Sequence, residues 1–213
     1  LKTSDALIII DPVMEMGGRK HQYGWVKPYK FGAILLTHEH PDHLDRHAID
    51  HLCAMDSTDL AFRHNGPIRI FGSQRAVDVL GKGTAMENGD TVSIARNKIR
   101  IKAVPAYNTT RGHKMYHPKG NGNGYLIEIG ELVIYVAGDT EMIPEMKKLG
   151  KVDIALLPVN QPYTMTPEQC IKAARAINPK VLIPYHMGDT DMTPVIKDFE
   201  GSDIKVIFHE ELR

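Results

Sequence analysis

The stretch Thr37-His38-Glu39-His40-Pro41-Asp42-His43 places three imidazoles and the Asp42 carboxylate within residues 38–43. Neutral imidazole nitrogen and carboxylate oxygen are the donors that borderline divalent cations such as zinc accept. On extended backbone His38 and His40 point to one side, and Pro41 turns the chain so that Asp42 and His43 can face a second ion. The stretch reads as a nest for two metal ions. A histidine-rich solvated loop is the bland alternative in a chain with 11 histidines. The apolar run Phe31-Gly-Ala-Ile-Leu-Leu36 just before the motif favours the first reading, because a buried strand delivers the donors at its end.

Two more apolar runs end on a donor. Leu132-Val-Ile-Tyr-Val-Ala137 stops at Gly138-Asp139-Thr140, where glycine permits close approach and Asp139 is placed to bridge two ions; capping the next turn is its competing use. Val181-Leu-Ile183 stops at Pro184-Tyr185-His186. Two ions about 3.5–4 Å apart bring the pKa of water to about 7 and polarise an electrophile, which is hydrolytic chemistry. Nothing competes for that role. No Gly-x-Ser-x-Gly elbow, Ser-His-Asp or Cys-His arrangement is present, and no Gly-x-x-x-x-Gly-Lys-Ser/Thr loop cradles a phosphate.

The pattern His-x-His-x-Asp-His after a strand resembles the metallo-β-lactamase superfamily of metal-dependent hydrolases. Through Gly138-Asp139-Thr140 and Pro184-Tyr185-His186 the chain is most similar to the branch that holds L-ascorbate-6-phosphate lactonase. The resemblance covers nearly the whole of residues 1–213. It implies a single domain with a four-layer αββα sandwich of α/β (α+β) class, with one or two further strands before residue 1. It also implies a dinuclear centre, with His38 and His40 on one ion, Asp42, His43 and His186 on the other, Asp139 between them, and Asp42 as proton shuttle. Zinc is the first choice of metal, manganese or iron the next. Relatives usually supply a third histidine just past the strand that here ends near Val104, but this chain reads Ala106-Tyr107-Asn108. Asn108, His113 and His117 are the candidates to replace it, and His117 is preferred because Pro118-Lys119-Gly120-Asn121-Gly122 lets its loop fold back. Asn108 and Lys119 are the candidates for holding an anionic substrate group. Relatives with redox di-iron sites place Glu where His40 stands, so a redox or non-catalytic metal module is the lesser reading.

The elements that must position these groups follow from periodicity. Ala6-Leu-Ile-Ile-Ile10 is a buried strand stopped by Asp11-Pro12, and residues 12–30 are too rich in Gly, Pro and polar groups for an element, with Trp25 as a packing anchor. Leu44 to Met55 has helical spacing with His47 and His51 on a wet face, Asn65-Gly66-Pro67 is a turn, and Ile68–Phe71 is a strand. Ser73 caps a helix through Leu80 that Gly81 ends, and Asn88-Gly89 is a hairpin-type turn before strands Thr91–Ile94 and Ile99–Val104. Residues 105–123 form a polar loop over the site. Gly124–Ile129 and Leu132–Ala137 make a hairpin across Gly130. Pro144–Leu149 is a short helix and Val152–Leu157 a strand. A helix capped by Thr166 runs to Ile177, Thr193-Pro194 starts the last helix, and Ile204–Phe208 is a terminal strand.

The bulk numbers fit one globular domain: 213 residues, 42% hydrophobic and 24% charged. Lys+Arg and Asp+Glu are both 26, so the chain lacks the basic field of a nonspecific nucleic-acid binder; a small-molecule substrate is expected, with a nucleic-acid phosphodiesterase of the same fold as the alternative. Cys53 and Cys170 sit among apolar neighbours, where buried thiols are expected, and no run approaches the roughly 20 apolar residues of a membrane span. The expected setting is cytoplasmic, without membrane insertion.

Overall fold

The computed structural model describes residues 1–213 except positions 5, 17, 22, 24–30, 59–67, 210, 211 and 213. Trp25 and the Asn65-Gly66-Pro67 turn therefore lie outside the described residues. The chain divides into two compact units, Leu1–Glu87 with Ser93–Ile99, and Asn88–Val92 with Arg100–Arg213.

In the first unit, β1 (Ala6–Ile10), β4 (Phe31–Leu36), β5 (Arg69–Gly72) and β6 (Thr84–Ala85) form a parallel sheet in that order. The register sets Ile10 against Leu35, and Leu36 against Gly72. Near-continuous apolar runs such as Ala-Leu-Ile-Ile-Ile and Phe-Gly-Ala-Ile-Leu-Leu suit parallel strands covered on both faces. Ile34 and Leu36 of β4 pack with Ile49 and Leu52 of helix α1 (Arg46–Thr58), and with Ala76 and Leu80 of α2 (Gln74–Leu80). The Asp45 carboxylate caps α1 by accepting from the amides of His47 and Ala48, and the Ser73 hydroxyl caps α2 by accepting from Ala76. His47 and His51 lie on the exposed face of α1, as the spacing predicts. Where composition predicts no element, β2 (Glu15–Met16) and β3 (Arg19–Lys20) pair as an antiparallel ribbon, with Gly18 at φ 76°. Two residues per strand leave no alternation for a pattern to reveal.

The second sheet runs β13-β12-β11-β10-β9-β8-β7, made of β7 (Thr91–Ile94), β8 (Ile99–Ala106), β9 (Gly122–Ile129), β10 (Leu132–Val136), β11 (Ile154–Pro158), β12 (Val181–Tyr185) and β13 (Lys205–Val206). β9 and β10 are the antiparallel hairpin across Gly130, while β10, β11, β12 and β13 are parallel neighbours. The carboxyl ends of β10 and β12 therefore lie at one end of this sheet, together with the start of β9. Helices α3 (Pro167–Ile177), capped by the Thr166 hydroxyl, and α4 (Thr193–Phe199) share a core with Leu157, Leu182 and Met146.

Two expectations need correction. Asn88-Gly89 is not a hairpin between paired strands: the Gly89 amide donates to Ala103 O, and β7 leads into β8 through Ala95, Arg96 and Asn97, all at positive φ. The terminal strand pairs only over Lys205–Val206. The short helix expected from Pro144 is present as a 3₁₀ helix, Pro144–Lys148.

Candidate metal centre

In the first unit the donors leave the end of β4 as its apolar run predicts. His38 and His43 are buried, His40 is half-buried and Asp42 is exposed. The turn is closed by the His43 and Leu44 amides, both donating to His40 O, and Glu39, between the two ligand candidates, pairs with Arg75 at 2.9 Å. The His38 ring lies 4.5 Å from that of His40 and 4.2 Å from that of His43, centroid to centroid.

The residue that organises these rings is one that sequence reasoning passed over. Asp11, at φ 46° just past β1, accepts from the Thr37 amide at 2.8 Å, from the Thr37 hydroxyl at 2.6 Å and from His43 Nδ1 at 2.8 Å. A carboxylate only accepts, so His43 carries its proton on Nδ1, which leaves Nε2 as the lone-pair nitrogen of the neutral ring. The Thr37 hydroxyl, having donated to Asp11, accepts from His38 Nδ1 at 2.9 Å, and His38 Nε2 is likewise the lone-pair nitrogen. That Nε2 faces His40 Nδ1 at 3.0 Å. Two imidazole nitrogens so close must hold a proton or a cation between them, and this donor set fits a borderline divalent metal. The only sequence signal for Asp11 is its place directly after a buried strand.

In the second unit Asp139, buried and just past β10, has its Oδ2 3.4 Å from His117 Nε2 and 3.8 Å from His186 Nε2. His186 follows β12 directly, at φ 53°. His117 Nδ1 donates to Tyr163 O at 2.9 Å, which turns its Nε2 toward Asp139. Asn160 Nδ2 lies 3.3 Å from His186 Nδ1, and Tyr163 belongs to the same turn, so one short segment touches both imidazoles. Neither Asn160 nor Tyr163 carried a signal in the sequence.

The other candidates are engaged elsewhere. Asn108, buried, donates from Nδ2 to Tyr163 O and His113 O, and its amide donates to His117 O. His113 Nδ1 donates to Glu141 Oε1 at 3.1 Å. Burial raises the Glu141 carboxyl, but hydrogen bonds from Thr110 and Thr109 outweigh it and leave its pKa below the ordinary value. Lys119, 66% exposed, holds Glu145 at 3.0 Å and the Tyr107 hydroxyl at 3.2 Å, and the Glu145 contact raises its pKa. Cys53 and Cys170 are thiols, the second pushed up to about 12 by burial, so neither suits a nucleophile's role.

The Beta-lactamase superfamily domain matches residues 1–186 of this sequence. The UPF0173 metal-dependent hydrolase of Nanoarchaeum equitans is 31% identical over 173 residues, which is 77% of this chain and 72% of that one. The chain belongs to the metallo-β-lactamase superfamily, among the UPF0173 metal-dependent hydrolases. A crystal structure of a provisionally named metal-dependent hydrolase from Parabacteroides distasonis is 43% identical, with a TM-score of 0.81 covering 95% of this chain and 84% of that one. Igni18, a metallo hydrolase from Ignicoccus hospitalis, is 23% identical with a TM-score of 0.66 over 97% and 88% of the two chains, a likeness of fold. The two main sheets and four helices among the described residues are thus those of the mixed α/β metallo-β-lactamase fold. No helix among the described residues is long and apolar enough to cross a membrane.

Proposed function

We propose that this metal-dependent hydrolase works with two divalent ions, zinc first and manganese or iron as alternatives, on a small ester, lactone or phosphodiester. The carrying observation is Asp139, a buried carboxylate whose Oδ2 lies 3.4 Å from His117 Nε2 and 3.8 Å from His186 Nε2. In this reading residues 1–213 act as one domain. His38, His40 and His117 hold one ion, Asp42, His43 and His186 the other, and Asp139 serves both.

When bound, such ions acidify water and polarise the electrophile it attacks. The chain's own residues orient and shuttle. Asp11 and Thr37 fix the tautomers of His43 and His38, and the Tyr163 carbonyl fixes that of His117. Asp42 has a side chain 43% exposed, 3.6 Å from His43 Nε2, and can take a proton at its carboxylate and pass it to solvent. An anionic substrate group reaches Lys119 by displacing Glu145 from it, with Asn108 lining the same loop. The substrate branch we favour is the lactonase-like one, on Gly138-Asp139-Thr140 and Pro184-Tyr185-His186. The two thiols support a reducing, cytoplasmic setting.

The test is elemental analysis of protein made without added metal, followed by assays of the metal-loaded protein on bis(p-nitrophenyl) phosphate and a lactone panel. Two equivalents and turnover on one substrate class are expected. Metal without turnover on either would overturn the substrate reading, and an absence of metal would overturn the centre.

A further inference from the structure

We infer that Glu141 is a positioning residue that sets His117 against Asp139, an inference that rests on the two-ion reading above. The loop from Asn108 to His117 has little apolar content to hold it, and Met115, its one large aliphatic side chain, is 76% exposed. Polar contacts hold it instead. Its neck is the Asn108 amide donating to His117 O at 2.9 Å. Its body is held by Glu141, whose side chain is fully buried. Glu141 Oε2 accepts from the Thr109 amide at 2.7 Å, the Thr109 hydroxyl at 2.9 Å and the Thr110 amide at 2.7 Å, while Oε1 accepts from His113 Nδ1 at 3.1 Å.

A carboxylate out of water is costly unless donors surround it, and here every one of these donors comes from residues 109–113. The carboxylate sits two residues after Asp139. Beside it the Thr140 hydroxyl donates to Tyr107 O and accepts from the Tyr107 amide, and the Glu141 amide donates to Tyr107 O at 3.2 Å. The strand end that carries Asp139 is therefore fastened to the arm that carries His117. In a chain that lacks a histidine directly after β8, the imidazole arrives ten residues further along a polar loop, and something other than the strand must hold it in place. The Glu141 contacts supply that fastening.

The experiment is a zinc titration by chelator competition on the full chain, with the Co²⁺ ligand-field spectrum read in parallel. Glu141→Ala is expected to weaken one of two ions by about 10–100-fold, as loss of an outer partner of a metal ligand does, and to alter the Co²⁺ spectrum. Glu141→Gln keeps an oxygen for the two threonine amides and turns its amide NH₂ toward His113 Nδ1, so it is expected to restore both. Met146→Ala, a core truncation outside the donor set, should lower the unfolding midpoint with both ions and the spectrum kept. If Glu141→Ala does not fold, Thr109→Val, which removes one hydroxyl donor, should weaken the same ion severalfold. A wild-type chain that binds two ions, with Glu141→Ala or Thr109→Val binding both equally well, overturns this inference alone. A wild-type chain that binds none overturns the two-ion reading, and this inference with it.

Discussion

Asp11 and His43 are 32 residues apart in the chain and meet at 2.8 Å, Oδ2 to Nδ1, with the Thr37 hydroxyl on the same Asp11 oxygen at 2.6 Å. Three donors share this carboxylate, so Asp11→Ala strands all of them. The expected cost is on the order of 2–4 kcal/mol of stability, together with about 10–100-fold weaker zinc binding. Asp11→Asn keeps one acceptor oxygen and a residue that tolerates φ 46°, so it should lose less of both. Thermal unfolding of the apo proteins and zinc titration of each would check this. Equal losses from the two variants would mean that the carboxylate does not organise His43.

The choice among Asn108, His113 and His117 has a direct readout in metal content. His117 Nε2 faces Asp139, whereas His113 donates to Glu141 and Asn108 donates to two carbonyls. His117→Ala is expected to bind one metal equivalent fewer than wild type, and His113→Ala to keep the wild-type count. Unchanged stoichiometry in His117→Ala would remove it from the ligand set.

Much of this was legible because the donors follow apolar runs. The strands ending at Leu36, Val136 and Tyr185 are long enough for burial to dominate their composition, and the caps at Ser73 and Thr166 use side chains whose backbone chemistry is local. The partner of Asp11 was not legible, because it depends on β1 lying parallel to β4 with Ile10 beside Leu35, and neither strand's own pattern names its neighbour. The turn at Ala95, Arg96 and Asn97 has no glycine to announce its positive φ, while Asn88-Gly89 carries a hairpin signal and pairs elsewhere. The late arrival of His117 was visible as a missing histidine. The placement of His117 Nε2 beside Asp139 depends on a contact of its Nδ1 with Tyr163, distant in sequence.

Gly124 tests how tightly β10 delivers Asp139. A β-carbon there would lie 2.7 Å from Ala137 O and 3.0 Å from Val136 O, both backbone atoms at the strand end that precedes Asp139. Gly124→Ala must push β9 and β10 apart, with a cost of about 1–3 kcal/mol, or roughly 2–4 °C in Tm for each kcal/mol in a chain of this size. Calorimetry should show that drop together with weakened zinc binding. An unchanged midpoint would mean that the hairpin yields without strain.

Asp153, outside the proposed ligand set, gives the fold a pH dependence. Lys180 at 2.9 Å, the Val133 amide at 2.9 Å and Lys151 at 3.3 Å hold its carboxyl down at about 2. A carboxyl whose folded pKa lies below its unfolded value of about 3.9 stabilises fully above that value, and the contribution is lost as pH falls through the folded one. Asp153→Asn should therefore unfold at a lower temperature than wild type at pH 7. The gap should hold down to about pH 4 and close as pH approaches about 2, where wild type has lost the same charge. Both lysines are exposed, so about 1 M salt should also narrow the gap at pH 7. A gap that stayed constant from pH 7 to 2 would place the Asp153 contribution in its neutral hydrogen bond to Val133 and not in its pairing with the lysines.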